Sequence, residues 1–292
     1  MNKTILITGA NRGIGLALTK LSLEQNFNVE ACCRNIEKSI ELNNLSQKYN
    51  NLNISEMDVT KSESINEVSN HLKKCIDILV CNAGLNNGKG NLFSEDHNEK
   101  TINDVMNANV AGPFLTIQKL YKNLNKKDGA KIAIISSLMG SQTHSSPNAP
   151  IYRASKAAAN NLMRSVSSQL ISENIVVCSY HPGWVRTDMG GANADISPEE
   201  SASGLLKHFL GLRMRNTGKF YNYDAFILLT NDSIFQNYKI TNKLEKIFNK
   251  HPKIGVLSPC SKDWGEYKII NNREKIKYFW HIHSPVYILR RS

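Results

Sequence analysis

Over its first 220 residues the chain alternates short apolar runs with longer amphipathic ones. The apolar runs at 3–8, 28–33, 52–57, 76–81, 131–136, 175–180 and 218–222 have the length of strands. Each of the first six is followed by a segment of helical spacing, such as Ile14, Ala17, Leu18 and Leu21. Apolar residues at that spacing line one face of a helix, whereas short unbroken apolar runs suit strands buried on both sides. A repeated strand–helix order predicts an α/β fold with a doubly wound parallel sheet covered by helices on both faces. Right-handed crossovers bring the C-terminal ends of such strands to one edge of the sheet, where ligands bind. The informative residues are therefore those that follow each strand.

After the first strand comes Thr8-Gly9-Ala10-Asn11-Arg12-Gly13-Ile14-Gly15. Glycines at 9, 13 and 15 permit a tight turn and a close backbone approach to a pyrophosphate. The helix that follows aims its N-terminal N–H groups at that anion. A structural turn is the competing reading, but the placement between a strand and an amphipathic helix favours a Rossmann-like dinucleotide site. The third strand leads to Asp58-Val59 and the fourth to Cys81-Asn82-Ala83-Gly84. The fifth runs into Ser136-Ser137-Leu138-Met139-Gly140, and a helix then carries Tyr152 and Lys156. Four-residue spacing puts these two side chains on one helix face. A free phenol has a pKa near ~10 and is a poor proton shuttle at neutral pH. A neighbouring ammonium and a positive nicotinamide ring would lower it, so that Tyr152 exchanges a proton with a substrate oxygen as hydride moves at carbon.

Together these segments resemble the short-chain dehydrogenase/reductase family. Thr-Gly-x-x-x-Gly-x-Gly has that family's spacing, and Cys81-Asn82-Ala83-Gly84 is similar to its Asn-Asn-Ala-Gly motif with Cys in the first place. Tyr-Arg-x-Ser-Lys, His181-Pro182-Gly183-Trp184-Val185-Arg186-Thr187-Asp188-Met189-Gly190-Gly191 and Gly218-Lys219-Phe220-Tyr221 look like its C-factor-like and sniffer-like carbonyl reductases. The resemblance covers 3–224. It implies reduction of a small-molecule carbonyl, with Tyr152 as acid/base and Lys156 both lowering its pKa and holding the nicotinamide ribose. Ser137, which precedes the x-x-Gly, would bond the carbonyl oxygen. Asn109 would interrupt a helix and hold a water that joins Lys156 to solvent, with Asn107 the less favoured bearer of that role. Around the cofactor it implies Gly9, Asn11, Arg12, Gly13, Ile14 and Gly15 at the phosphates, and Asp58 and Val59 at adenine. Asn82, Ala83, Gly84, Pro182, Gly183, Val185 and Thr187 complete the set, and 189–200 would form part of a lid with a hinge at Gly190-Gly191. The loop at 141–150 should be slightly longer than the family's usual one. Some members of the group are better known for signalling, so a regulatory NAD(P)-binding protein with little turnover is the alternative. The intact Ser-Tyr-Lys set favours the enzyme.

Charge bears on the choice of cofactor. An NAD site uses a carboxylate at the end of the second strand. Here that strand ends Ala31-Cys32-Cys33-Arg34, without an acid. Arg34 and Arg12 suit a 2′-phosphate, because guanidinium matches phosphate geometry. NADPH is therefore the expected cofactor, with NADH as the lesser one. A solvated surface charge is the other reading of each arginine.

Composition adds limits and one anomaly. The chain has 292 residues, is 41% hydrophobic and carries a net charge of +11. Scattered Lys with little aromatic interleaving argues against a nucleic-acid partner. No run approaches the ~20 apolar residues of a membrane-spanning helix. Met1-Asn2-Lys3 leads straight into a strand without a signal-peptide pattern, so a cytoplasmic protein is expected. Six Cys without a Cys-x-x-Cys pair suit reduced, mostly buried thiols. The anomaly is the tail: 225–292 holds 12 basic and 5 acidic residues, a net +7 of the total. The division expected is a reductase domain over 1–224 and an extension over 225–292. In that extension Ala225–Ser233 reads as a strand and 240–250 as a helix, an order that weakly resembles a fragment of a family-two glycosyltransferase. Only Asp232 would serve as its acid, and no transferase activity is expected. A dimerisation arm, giving a homodimer, and a fusion or reading-frame remnant are the rival readings. His281 and His283 lack the companions of a metal site, and no metal is expected.

Overall fold

The computed structural model of the chain describes residues 2–142 and 145–224, and beyond them the backbone of three strands. Strands β1 (Thr4–Thr8), β2 (Asn28–Cys33), β3 (Leu52–Glu56), β4 (Ile78–Cys81), β5 (Lys131–Ile135), β6 (Val176–His181) and β7 (Phe220–Asn222) fall on the seven apolar runs. They pair in parallel in the order β3-β2-β1-β4-β5-β6-β7. The covering helices are α1 (Gly13–Glu24), α2 (Ile40–Ser46), α3 (Ser62–His71), α4 (Glu99–Met106), α5 (Gly112–Leu120), α6 (Pro150–Leu170) and α7 (Pro198–Gly211).

The two-residue period of the strands divides the apolar side chains between two cores. Ile5, Ile7, Ile78, Val80, Ala133, Val176 and Cys178 face one side with Leu18, Leu205 and Phe209 of α1 and α7. Leu6, Leu79, Ile132, Ile134 and Val177 face the other, with Ile65, Ile117 and Met163 of α3, α5 and α6. Central strands therefore read as unbroken apolar runs, and all five residues of β1 are buried. Strand β3 lies at the sheet edge, which explains its polar sequence with Asn53 and Glu56 exposed.

After β3 the chain crosses to the other side of β1 and continues as β4. The crevice at that reversal is where a doubly wound sheet receives a ligand. Two irregularities bear on it. A π-helix at Asn107–Ala111 joins α4 to α5. Ala149 is left-handed (φ 51°) and precedes Pro150 at the first turn of α6. Proline lacks the N–H that a first turn leaves unused, so α6 starts there and carries Tyr152 in its opening turn.

Beyond the parallel strands, β8 (Phe226–Leu229) pairs antiparallel with β7 at Phe220↔Leu229. β10 (Val286–Leu289) pairs antiparallel with β8, and β9 (Val256–Leu257) with β10. The strand expected at 225–233 contains β8. The helix expected at 240–250, and Asp232, Cys260, His281 and His283, lie outside the described residues. Among the described residues no helix is long and apolar enough to cross a membrane. Cys32, Cys33, Cys81 and Cys178 are free and buried, while Cys75 is exposed.

Candidate active site

The segments singled out by sequence converge at the C-terminal edge of β1, β4, β5 and β6. Thr8, the last residue of β1, ties two of them together. Its Oγ1 accepts from the backbone N–H of Asn82 (2.9 Å) and Ala83 (3.0 Å). In return Asn82 Nδ2 donates to the carbonyls of Thr8 (2.9 Å) and Gly9 (3.1 Å). The Asn82 amide is thus committed to the glycine turn and acts on any ligand through it. A Cβ on Gly15 would stand 2.2 Å from the Gly9 carbonyl oxygen, so α1 can approach the turn only with glycine there.

Helix α1 opens with Arg12 as its N-cap, without a side-chain cap and without an acid in its first turn. Its first N–H groups have no intrahelical acceptors, and the helix dipole is left uncompensated. These features fit the phosphates of a dinucleotide. Asn11 and Ile14 flank that opening. At the adenosine end, Asp58 Oδ1 accepts from Thr60 N (3.0 Å) and Oγ1 (2.7 Å). Burial opposes the Asp58 carboxylate, but the Thr60 bonds and the cations Arg34 and Lys61 outweigh it and hold its pKa below the usual value. Arg34 is thus close enough to act on the Asp58 carboxylate. It also borders a cleft of about 420 Å³ with Thr60, Leu85, Asn87, Asp104 and Asn107. Val59 is buried and packs on Gly112 at the start of α5.

Tyr152 and Lys156 are both buried on the inner face of α6. The Ser137 side chain lies close enough to the Tyr152 hydroxyl to lower its pKa. Ser136 Oγ instead donates to the Lys156 carbonyl (3.3 Å). Lys156 Nζ donates to the Ile135 carbonyl (2.9 Å) and lies 5.5 Å from the centre of the Tyr152 ring. Asn109, in the π-helix, holds Leu85 on both sides: its Oδ1 accepts from Leu85 N and its Nδ2 donates to Leu85 O, each at 2.8 Å. The same Nδ2 donates to Ser155 Oγ (2.9 Å). A Cβ on Gly84 would stand 2.9 Å from Asn109 Oδ1 and 3.6 Å from Lys156 Nζ, which brings the asparagine and the lysine together at that glycine.

The electrostatics differ from the expectation drawn from sequence. Burial pushes the Tyr152 phenol up to about 12, against the lowering effect of Ser137. Burial also pushes Lys156 down to about 8. The lowering assigned to a positive nicotinamide ring belongs to a bound cofactor, not to the protein itself. Desolvation is the physical reason for both directions, since it disfavours phenolate and ammonium alike.

Residues 3–196 match the family described as short chain dehydrogenase. The chain belongs to this family. A relative described as an uncharacterized oxidoreductase of Schizosaccharomyces pombe is 34% identical over 250 residues, covering 77% of this chain and 96% of the relative. Among solved structures, the carbonyl reductase Sniffer of D. melanogaster superposes with a TM-score of 0.72 at 30% identity, covering 77% of this chain and 98% of Sniffer. An NADPH-bound carbonyl reductase from chicken fatty liver gives 0.71 at 31% identity, covering 76% and 97%. The protein is thus an oxidoreductase of the short-chain dehydrogenase type with a Rossmann-like sheet.

In this short-chain dehydrogenase the loop after β6 folds back over the glycine turn. Val185 is buried and bridges to Ile196, Gly183 takes φ +89°, and the Pro182 carbonyl accepts from Ser201 Oγ (2.6 Å). Thr187 Oγ1 donates to the Val185 carbonyl (3.3 Å) and accepts from Gly190 N (3.1 Å). Its methyl would stand 3.0 Å from a Cβ on Gly13, which brings it to the opening of α1. Three participants carried no assigned role in the sequence: Thr8, His181 and Asp188. His181 Nδ1 accepts from Leu138 N (3.4 Å), behind the turn that carries Ser137, and burial pushes its pKa down to about 4. Its imidazole is therefore neutral at physiological pH. All three lie inside quoted motifs, yet their partners are 43 to 176 residues away and only the fold reveals them.

Proposed function

We propose that this oxidoreductase reduces a small carbonyl compound with NADPH. The observation that carries the proposal is the buried Ser137–Tyr152–Lys156 cluster beside an uncapped, glycine-opened helix. Bound NADPH supplies the hydride for the carbonyl carbon. The phenol of Tyr152, neutral at physiological pH, is already in the form that donates a proton to the carbonyl oxygen. Ser137 donates a hydrogen bond to the same oxygen and stabilises the charge that builds on it. Lys156, as ammonium, stabilises the phenolate left behind and holds the nicotinamide ribose. Asn109 fixes the backbone at Leu85 next to Lys156 and so supports the route by which the proton is replaced.

Cofactor choice follows from Arg34. No acid stands at the end of β2 to accept from ribose hydroxyls, and a guanidinium there suits a 2′-phosphate. The NADPH bound to the chicken carbonyl reductase is in keeping with this reading. The test is kcat/KM on a panel of aldehydes and ketones with each cofactor. NADPH is expected to exceed NADH on at least one carbonyl, and an NADH advantage throughout would overturn the cofactor assignment. Absence of turnover on every member, with NADPH still bound, would favour the regulatory alternative.

A further inference from the structure

Arg12 is read above as a ligand for the cofactor, but in this structure it is already engaged. Its Nη1 lies 2.6 Å from Asp188 Oδ2, with both side chains largely exposed. The contact spans 176 residues and joins the glycine turn after β1 to the loop after β6. It does not stand alone. The Thr187 methyl packs at Gly13, on the opening of α1. Asp188 is presented by a closed turn: Gly191 N donates to the Thr187 carbonyl (2.8 Å), and Trp184 Nε1 donates to the Gly190 carbonyl (2.9 Å). Arg186 ties the same loop to the carbonyls of Ala194 (3.0 Å) and Asp195 (2.9 Å). On the other side, Ala10 N donates to the Cys32 carbonyl (3.0 Å), which fastens the glycine turn to the end of β2, just before Arg34. The glycine turn thus joins the loop after β6, which holds a carboxylate against Arg12, to the strand end that Arg34 follows.

We propose that Asp188 competes with the 2′-phosphate of the cofactor for Arg12, which makes Asp188 a determinant of cofactor discrimination. The proposal rests on the dinucleotide reading above. One guanidinium exchanges a carboxylate for a phosphate when the cofactor enters, and the affinity for the phosphorylated cofactor is reduced by the cost of breaking the existing pair. Exposed ion pairs are weak, so the expected effect is modest, roughly threefold to fivefold in affinity. The pair is also screened by salt, and the effect shrinks as ionic strength rises.

The experiment is calorimetric titration of the full chain with NADP⁺ and with NAD⁺, for the wild type, Asp188→Asn, Arg12→Ala and the double variant. Asp188 is exposed, and equal melting temperatures would show that the asparagine variant keeps the fold. Asp188→Asn is expected to bind NADP⁺ about threefold to fivefold more tightly and NAD⁺ almost as the wild type does. In the Arg12→Ala background the gain should vanish. Unchanged or weaker NADP⁺ binding by Asp188→Asn would overturn the proposal. So would an equal gain for both cofactors, or a gain that persists without Arg12, since either would mean simple repulsion between Asp188 and the diphosphate. If the wild type binds neither dinucleotide, it is the underlying dinucleotide reading that fails.

Discussion

Tyr152 and Lys156 are perturbed in opposite directions by the same cause, and the proposed carbonyl reduction would use that combination. The phenol, pushed up to about 12, keeps the proton that the proposed reduction would take from it. Lys156, pushed down to about 8, is charged below that pH and loses its proton above it. The ammonium form is the one that stabilises a phenolate, so kcat/KM for reduction should be level near neutrality and fall as pH rises through about 8. A profile measured from pH 6 to 10 that rises through that interval would contradict this assignment. Tyr152→Phe removes the proton donor but leaves the ring in place. It should lower kcat by about 10²- to 10⁴-fold while the Kd for NADPH stays within about twofold. These two residues, with Ser137, were legible in the sequence because each follows a strand at a spacing that the fold makes meaningful. The Asp188–Arg12 contact and the acceptor role of His181 were not, because each depends on which strand ends become neighbours across the sheet.

Among the elements, the π-helix at Asn107–Ala111 has the clearest consequence for the site. An extra residue in one turn shifts the helix face, and such bulges recur where a helix must aim a particular side chain. Here the side chain is Asn109, almost completely buried at 1% exposure, with its amide shared among Leu85 N, Leu85 O and Ser155 Oγ. Asn109→Ala would leave those buried groups without their partner, at a cost of about 1–3 kcal/mol. Urea denaturation should show a loss of that size, together with a lower kcat and little change in cofactor Kd. A stability loss with kcat unaffected would confine Asn109 to a structural role. At this scale the strands were read almost completely, since each central one is an unbroken apolar run buried on both faces. The interruption between α4 and α5 followed from the family resemblance, because a helical hydrophobic period cannot distinguish an α-turn from a π-turn. The order of the strands, and hence which loops meet, came from rules of connection and not from any residue.

For the molecule as a whole, three-quarters of the chain suffices to cover almost the entire length of Sniffer and of the chicken reductase. All the residues of the candidate site lie within 8–188, and the family match ends at 196. Strand β7 completes the parallel sheet, with Tyr221 almost fully buried beside Tyr180 and His208. Among the described residues β8 is joined to it at the register pair Phe220↔Leu229. We propose, on these grounds, that 1–224 is a reductase unit that folds and turns over without 225–292. Deleting the extension should keep kcat/KM within about twofold and leave a single cooperative melting transition, because the compared reductases are spanned almost whole by three-quarters of this chain. The strand edge that deletion exposes is only three residues long, too short to serve as a good template for association. The extension's charge of +7 is removed with it, so the truncated protein should also lose most of any salt-sensitive binding to acidic surfaces. Gel filtration of the two forms then decides what the extension does for assembly. If both run at the same oligomeric size, the dimerisation-arm reading is wrong. If the full chain is a dimer and the truncated one an active monomer, the extension is an assembly device attached to an independent enzyme. An insoluble or inactive truncated protein would show that the outer strands are integral to the sheet, and the division at 224 would have to be given up.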